Sequence, residues 1–504
     1  MEFEASDYYS PMTSEEYYDK KLKRLPNPEA RSFPRTDTDY ANVKKVHIVG
    51  VCGTAMGSLA GLLGEAGYEV TGSDTGCYPP MSDLITELGI TFFEGYDPDH
   101  LKDADIIIIG NASSPDNVEA IYAREQGLPT LSLPEAVAEF FIKGKRSLVV
   151  AGTHGKTTTS GLLAHVFTSA GKEPSYLIGG VPQGFGKGFH VGKGDHFVIE
   201  GDEYDTAYFD KRPKFLHYRP TSAVITSLEF DHIDIYDDLD DYRQAFVFLT
   251  ELIPEGETFF VWGDGAETRA LAKKGNAKTY GLEEGNDITA KNITVSPPGQ
   301  RFTLVIDGKE IGEVETPLFG EHNLNNVLSV CAVALSEGMS FEELKKGIGS
   351  FTGMKRRQEV IAEEKGVTFV DDFAHHPTAV RETLKAIRMK YPERRIIALF
   401  EPRSNTSRRK LFEQGYIESF DEADALHLKV PPMRHNDSAE DFMDAEKVVR
   451  EVTARGTEAR LYETGDELVA GVAPTLQTGD VVLIMSNGSF DGIYTKLVDA
   501  WCAA

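Results

Sequence analysis

The apolar run Val149-Val150-Ala151 enters Gly152-Thr153-His154-Gly155-Lys156-Thr157-Thr158-Thr159, and a helical pattern follows. A strand, a glycine loop, a Lys-Thr pair and a helix in that order form a phosphate cradle. Backbone N–H groups and the helix N-terminus face the anion, the lysine reaches the outer phosphates, and the next hydroxyl binds Mg²⁺. The expected ligand is ATP or GTP. The first glycine of the full G-x-x-x-x-G-K-[ST] pattern would fall at Val150, so Gly152 has to supply that backbone freedom. The plain alternative is an ordinary glycine-rich strand-to-helix turn.

Further chemistry gathers at strand ends, where open α/β sheets bind ligands. Phe197-Val198-Ile199 runs into Glu200, Asp202, Glu203 and Asp205, and Ala223-Val224-Ile225 leads on to Asp231-His232. Thr157, Glu200 and His232 then form a potential Mg²⁺ set, although an imidazole is atypical for so hard a cation. The competing reading of Asp231-His232 is a hydrogen-bonded turn. Near the start, Val46-His47-Ile48-Val49 enters Gly50-Val51-Cys52-Gly53-Thr54, a pyrophosphate-type turn with Gly53 and Thr54 opening a helix. It is not the dinucleotide fingerprint, because Cys52 and Ala55 stand where G-x-G-x-x-G needs glycine, so NAD is not expected. Asp74, closing the next strand, is placed to contact a ribose or base or else to cap a helix. Cys52 reads as a small buried packing residue.

In the last third, Asp371-Asp372 ends a strand, and His375-His376-Pro377 opens a helix with Val380, Leu384 and Ile387 on its inner face. Arg403 follows the strand Ile396–Phe400, and Ser486-Asn487 follows Val481–Met485. Both ends could face a substrate.

Elements that position these groups need room. At 504 residues the chain has length for about three domains at roughly 150 residues each. Strands alternating with helical patterns predict α/β layers with mainly parallel sheets. The divisions fall at 43–145, 146–354 and 355–504, with residues 1–42 a loosely ordered extension lacking apolar periodicity. A net charge of −28 opposes binding to nucleic acid or to anionic lipid. Four widely spaced cysteines without C-x-x-C suit a reducing cytoplasm. No run approaches the roughly 18 apolar residues of a membrane span, and the start Met-Glu-Phe-Glu lacks a leader pattern, so a soluble, unexported chain is expected.

Taken in order, the Gly152–Thr158 loop, Glu200-Gly201-Asp202-Glu203, Asp231-His232, Glu321-His322-Asn323-Leu324-Asn325-Asn326, Arg356-Arg357 and Asp371–Pro377 resemble the Mur ligases over residues 43 to about 500. The resemblance implies a Rossmann-like N-terminal domain, a P-loop ATPase central domain and a Rossmann-like C-terminal domain. Tyr78-Pro79-Pro80-Met81-Ser82, Glu203-Tyr204-Asp205 and Glu401–Thr406 place it nearer the peptide-recycling branch than the L-alanine-adding one. The implied reaction joins UDP-N-acetylmuramate to the murein tripeptide L-Ala-γ-D-Glu-meso-diaminopimelate with ATP and Mg²⁺, through an acyl phosphate. A non-catalytic sensor of UDP-muramyl compounds is the alternative of another class.

By the same resemblance, Gly152, Thr153, Gly155, Lys156, Thr157 and Thr158 hold ATP phosphates, and His322, Asn323 and Asn326 hold adenine, helix capping being the other use of Asn323. Asp371 or Asp372 contacts the ribose. Thr157, Glu200 and His232 bind metal, and one of Arg356 and Arg357 reaches the γ-phosphate. Gly53, Thr54 and Asp74 face the UDP-sugar, while His375 or His376, Arg403, Ser486 and Asn487 face the incoming peptide. One departure stands out. Several relatives carry a carbamylated lysine some fifteen residues after the metal histidine, yet no lysine occurs from Ile233 through Thr250.

Overall fold

Four consecutive isoleucines, Ile106–Ile109, are all buried, as β-branched residues covered on both faces of a parallel sheet should be. They belong to the first of three large sheets in a computed structural model that describes residues 13–23, 25, 33, 38–79, 81–230, 235–273, 275–433 and 441–503. This sheet has five parallel strands in the order Thr91–Glu94, Glu69–Asp74, Lys45–Val49, Ile106–Ile109, Thr130–Ser132. Strand order reverses beside Lys45–Val49. That puts the turn at Gly50–Gly53, and the helix Thr54–Glu65 which Gly53 caps, at the switch point where such sheets bind ligands.

The second sheet has ten strands. Its parallel centre runs Phe259–Trp262, Ser222–Ile225, Arg146–Ala151, His196–Gly201, so the ends at Ala151, Gly201 and Ile225 open on one side. One flank is an antiparallel meander, Ile288–Ser296, Gly299–Ile306 and Lys309–Thr316. The helices Lys156–Ser169 and Glu321–Ser336 pack together over the sheet, with Leu162, Val166, Leu324 and Val327 in one core. The third sheet has six strands, in the order Glu359–Glu364, Val367–Asp372, Val481–Ser486, Ile396–Glu401, Ala425–Lys429, Glu458–Tyr462; all but the first pair are parallel. As expected, Val380, Leu384 and Ile387 line the buried face of the helix Pro377–Lys390.

The first two units interlock. A Cβ on Gly61 would lie 2.2 Å from the Phe189 ring, so the helix Thr54–Glu65 lies directly on that ring. At its last turn Glu65 pairs with Lys187 and accepts from the Val191 N–H at 2.9 Å.

Part of the segment read as a loosely ordered extension is a helix, Ser14–Lys23, packed on the second unit. Tyr18 is 3% exposed, Tyr17 donates its hydroxyl to Asp241 at 2.7 Å, and Lys21 pairs with the same carboxylate. Its apolar face is made mainly of tyrosines rather than an aliphatic stripe, so hydrophobic periodicity does not reveal it.

Candidate functional site

Two glycines shape the phosphate loop. Gly152 has φ +125°, and a Cβ there would sit 2.3 Å from Thr226 Oγ1 and 2.8 Å from the Ser227 nitrogen. Gly155 has φ +83° and would place a Cβ 2.5 Å from Asn326 Oδ1. Loop and neighbours are thus closer than any side chain permits, so Gly152 does supply the freedom that Val150 cannot. Thr153 is braced from behind, its hydroxyl donating to Glu229 O at 2.9 Å and accepting from the Glu229 N–H at 2.9 Å. Gly155 caps the helix Lys156–Ser169, and Thr158 is buried in its first turn.

Lys156 Nζ lies 2.7 Å from Glu203 Oε2 and donates to Gly152 O at 2.6 Å. Burial disfavours its charge, but Glu203, Asp202 and Glu200 outweigh that and raise its pKa. Thr157 Oγ1 donates to Glu200 Oε2 at 3.2 Å, and the Gly179 N–H holds the other oxygen at 2.7 Å. Burial, with Asp202 adding like charge, pushes Glu200 up to about 7. A hydroxyl and a buried, repelled carboxylate side by side fit a divalent cation, which relieves that repulsion. His232 and Asp231 lie outside the described residues.

Facing the loop, the helix Glu321–Ser336 brings Asn326 against Gly155, with Asn326 Nδ2 donating to Asn323 Oδ1 at 3.2 Å. The capping alternative for Asn323 fails. Gly320 occupies the cap, and Asn323, in the first turn, donates to Phe319 O at 2.8 Å. Burial pushes His322 down to about 4, so its ring is neutral, and its Nδ1 has no hydrogen-bond partner among the described residues. A neutral ring and buried amides in one cleft suit a polar, uncharged heterocycle.

The adjacent arginines part ways. Arg356, at φ +58°, is fixed inside the third unit by Ser486 O at 2.7 Å, Gly488 O and Tyr494 Oη at 2.9 Å, and Asp371 at 3.2 Å. A phosphate role for Arg356 is therefore not supported, since its guanidinium holds a strand end in place. Arg357 lies over the Phe373 ring at 5.0 Å, and its charge acts on Glu200, Asp372 and His322. Asp372 accepts from the Gln358 and Ala374 N–H groups, both at 2.8 Å, and so folds the turn. Asp371 Oδ1 has no partner among the described residues though the residue is only 6% exposed, and burial pushes its pKa up to about 6 despite Arg356.

His376 caps the helix Pro377–Lys390 through Nδ1, which accepts from the Thr378 N–H at 3.3 Å. It also meets the phosphate loop. His154 Nε2 is 3.0 Å and His376 Nδ1 3.7 Å from the same Glu229 oxygen, and the two rings are 4.8 Å apart. His375 instead bonds Phe373 O at 3.0 Å. Arg403 reaches the turn after Ser486-Asn487, donating to Ser489 Oγ at 3.0 Å, and Asn487 Oδ1 has no partner among the described residues. Neighbouring parallel strands join these two ends, as Glu401↔Ser486 register requires.

In the first unit Asp74 is not a helix cap. It accepts from the Cys52 N–H at 3.0 Å and the Thr75 N–H at 2.8 Å, bracing the Gly50–Gly53 turn. The reading of Cys52 as a packing residue is overturned, because it is disulfide-bonded to Cys77. Cys331 is buried and free, and Cys502 is exposed and free. Sequence reasoning also missed Glu203 as the partner of Lys156 and the His154–Glu229–His376 group. The density of carboxylates after Ile199 was a usable signal for the first; nothing local signalled the second.

Three α/β units in series, with a phosphate loop in the middle one facing the third, are the architecture of the nucleotide-dependent Mur ligases. Three family models match in that order: the Mur ligase family catalytic domain over residues 45–144, the Mur ligase middle domain over 150–334 and the Mur ligase glutamate ligase domain over 356–488. The chain belongs to the Mur ligase family, whose members are ATP-dependent ligases. It is 40% identical over 463 residues to the UDP-N-acetylmuramate–L-alanyl-gamma-D-glutamyl-meso-2,6-diaminoheptandioate ligase of Escherichia coli K12, spanning 90% of this chain and 98% of that one. It is 32% identical to the UDP-N-acetylmuramate–L-alanine ligase of Desulfitobacterium hafniense Y51, over 90% of this chain and 99% of the relative. A murein peptide ligase from Psychrobacter arcticus 273-4 superimposes with a TM-score of 0.67 at 32% identity, covering 92% of this chain and 99% of that structure. No described helix is long and apolar enough to cross a membrane.

Proposed function

We propose that the protein joins the lactyl carboxylate of UDP-N-acetylmuramate to the α-amine of L-Ala-γ-D-Glu-meso-diaminopimelate, using ATP, in the recycling of wall peptide. The observation that supports this reading is the seating of the Asp371–Pro377 turn against the phosphate loop through His376 and His154, in a chain 40% identical to the Escherichia coli tripeptide ligase against 32% to the Desulfitobacterium L-alanine ligase. ATP and a UDP-sugar as substrates support a cytoplasmic site of action. The unit divisions are proposed at 145/146 and 354/355.

The chemistry has two steps. A carboxylate oxygen attacks the γ-phosphorus and ADP leaves; the amine nitrogen then attacks the acyl carbon, loses its proton, and inorganic phosphate leaves. Gly152, Thr153, Gly155, Lys156, Thr157 and Thr158 hold the phosphates, with Lys156 exchanging its ion pair with Glu203 for the anion. Thr157 and Glu200, with His232, would hold Mg²⁺, which supplies neutralisation of phosphate charge. Arg357 takes the γ-phosphate role, because a planar fork that stays charged can bind two oxygens and Arg356 is otherwise engaged. His322, Asn323 and Asn326 take the adenine, and Asp371 or Asp372 the ribose.

Gly53, Thr54 and Asp74 belong to the UDP-sugar site. Arg403 binds a carboxylate of the tripeptide with Asn487 beside it, whereas Ser486, fully buried and donating its hydroxyl to Glu401 at 2.7 Å, holds that strand end rather than the peptide, and His376 stands on the side from which the amine arrives. The experiment is phosphate release with ATP, Mg²⁺ and UDP-N-acetylmuramate, offering tripeptide or free L-alanine, with product mass. Tripeptide-only turnover is expected. Preference for L-alanine would move the chain to the other branch, and binding without turnover would support a sensor.

A further inference from the structure

The disulfide lies at a consequential place. Cys52 is in the turn between the strand Lys45–Val49 and the helix Thr54–Glu65, and Cys77 is in the loop leaving Glu69–Asp74. Those strands are parallel neighbours, with Val49 opposite Ser73, so both loops emerge at one edge of the first sheet. The turn is already tied to that neighbour by main chain. Gly50 and Val51 donate to Ser73 O at 2.8 and 3.2 Å, and Cys52 donates to Asp74 at 3.0 Å. Immediately beyond, Thr54, Ala55 and Met56 precede the first helical hydrogen bond, which Gly57 makes to Gly53 O. Their N–H groups form the anion-binding first turn. Cys52 and Cys77 are both half-buried, so a small thiol can reach the bond. The other two cysteines are far from this region in the fold, in the second core and at the chain's last helix.

We propose that Cys52 and Cys77 are a thiol–disulfide exchange site controlling affinity for the UDP-sugar, the oxidised form being the tight-binding one. This rests on the reading of the Gly50–Thr54 turn as the UDP-sugar site. Pinning residue 52 to the neighbouring loop fixes the turn that aims the helix N-terminus, so less ordering is required when the pyrophosphate binds. Reduction by a low-molecular-weight dithiol opens the bond. One reductant thiolate attacks a protein sulfur, its second sulfur resolves the mixed disulfide, and the reductant leaves as a cyclic disulfide. Two electrons and two protons pass to Cys52 and Cys77, which become thiols. Oxidation by a small disulfide such as oxidised glutathione reverses this and releases two small thiols.

The test uses the full chain carrying Cys502→Ser, to remove the exposed free thiol. Protein treated with oxidised glutathione or with dithiothreitol is compared by calorimetry for binding of UDP-N-acetylmuramate and of a non-hydrolysable ATP analogue, with thiols counted after denaturation. Oxidised protein should show one thiol and reduced protein three. Reduction should weaken UDP-N-acetylmuramate binding at least fivefold and leave the ATP analogue unchanged. Cys77→Ser should bind like the reduced form under both treatments. Equal binding by both forms, three thiols after oxidation, or Cys77→Ser behaving like oxidised protein would overturn the proposal alone. Absence of UDP-N-acetylmuramate binding in either form would overturn the functional reading together with it.

Discussion

Gly155→Ala should cost the protein either stability or nucleotide affinity, and the structure says how much. At φ +83° the residue lies in the left-handed region, which an L-side chain occupies at a cost of roughly 1–2 kcal/mol. The loop can keep its shape, in which case the folded state bears that energy. Or it can relax away from the cradle, in which case nucleotide binding has to restore it, a loss of roughly 5- to 30-fold at about 1.4 kcal/mol per decade. The added Cβ would also meet Asn326 Oδ1 at 2.5 Å, pushing the amide out of the cleft and adding to the affinity loss. Gly171→Ala is the control. It has φ +70° with nothing within 4 Å of an added Cβ, so it carries backbone strain without touching the site. Urea unfolding and calorimetry with a non-hydrolysable ATP analogue measure both halves. For Gly171→Ala the loss should be in stability alone; for Gly155→Ala the two losses together should exceed it. A Gly155→Ala protein with unchanged stability and unchanged affinity would refute the assignment of this loop as a tight phosphate cradle.

Arg357→Ala should lower kcat by roughly 10²-fold or more with little change in unfolding free energy, whereas Arg356→Ala should destabilise the third unit by about 1–3 kcal/mol as Ser486 O and Gly488 O lose their donor; equal effects on both quantities would contradict the division of labour. Arg403→Ala should raise the tripeptide KM and leave the ATP KM alone, and an unchanged tripeptide KM would remove Arg403 from the site. For Glu337, burial raises the pKa, but His196 and Arg146 outweigh it and hold the group at about 2, below its ordinary 4.5. Its stabilisation is therefore complete above pH 4.5 and fades as pH falls toward 2, amounting to about 3 kcal/mol at most. Glu337→Gln should flatten stability between pH 5 and 3 relative to the parent in urea titrations, and parallel losses in both proteins would sink this account.

What the sequence made legible was what lies close together along it. The strand from Arg146, the glycines, Lys156 and Thr157 fall within twelve residues, so the loop's local pattern was visible. Pairings set by sheet adjacency were not visible. Cys52 and Cys77 are separated by 25 residues, and only the parallel register of their strands brings them together. Lys156 and Glu203 meet for the same reason, across Arg146–Ala151 and His196–Gly201. Arg356 and Arg357 are identical in type and adjacent, so only the left-handed backbone at Arg356, which turns it into the carbonyls of the third unit, tells them apart. Capping stayed open as the other use of Asn323 because the sequence does not show that Gly320 already caps the helix.

The contact of Gly61 with the Phe189 ring bears on how the substrates can move. A ring pressed against a helix backbone leaves no slack for sliding, and Glu65 fixes the same corner with polar bonds. The turn proposed to hold the UDP-sugar and the loop proposed to hold the phosphates therefore ride on a single anvil, their separation set by core packing. The third unit also meets that anvil, through main-chain bonds near Gly353, the contact of His376 with Glu229, and an apolar approach in which a Cβ on Gly320 would lie 2.7 Å from Ala386 Cβ. Under the proposed function, the span from the sugar to the γ-phosphate is a length set by core packing, a ruler against which a tethered sugar–nucleotide inhibitor can be cut.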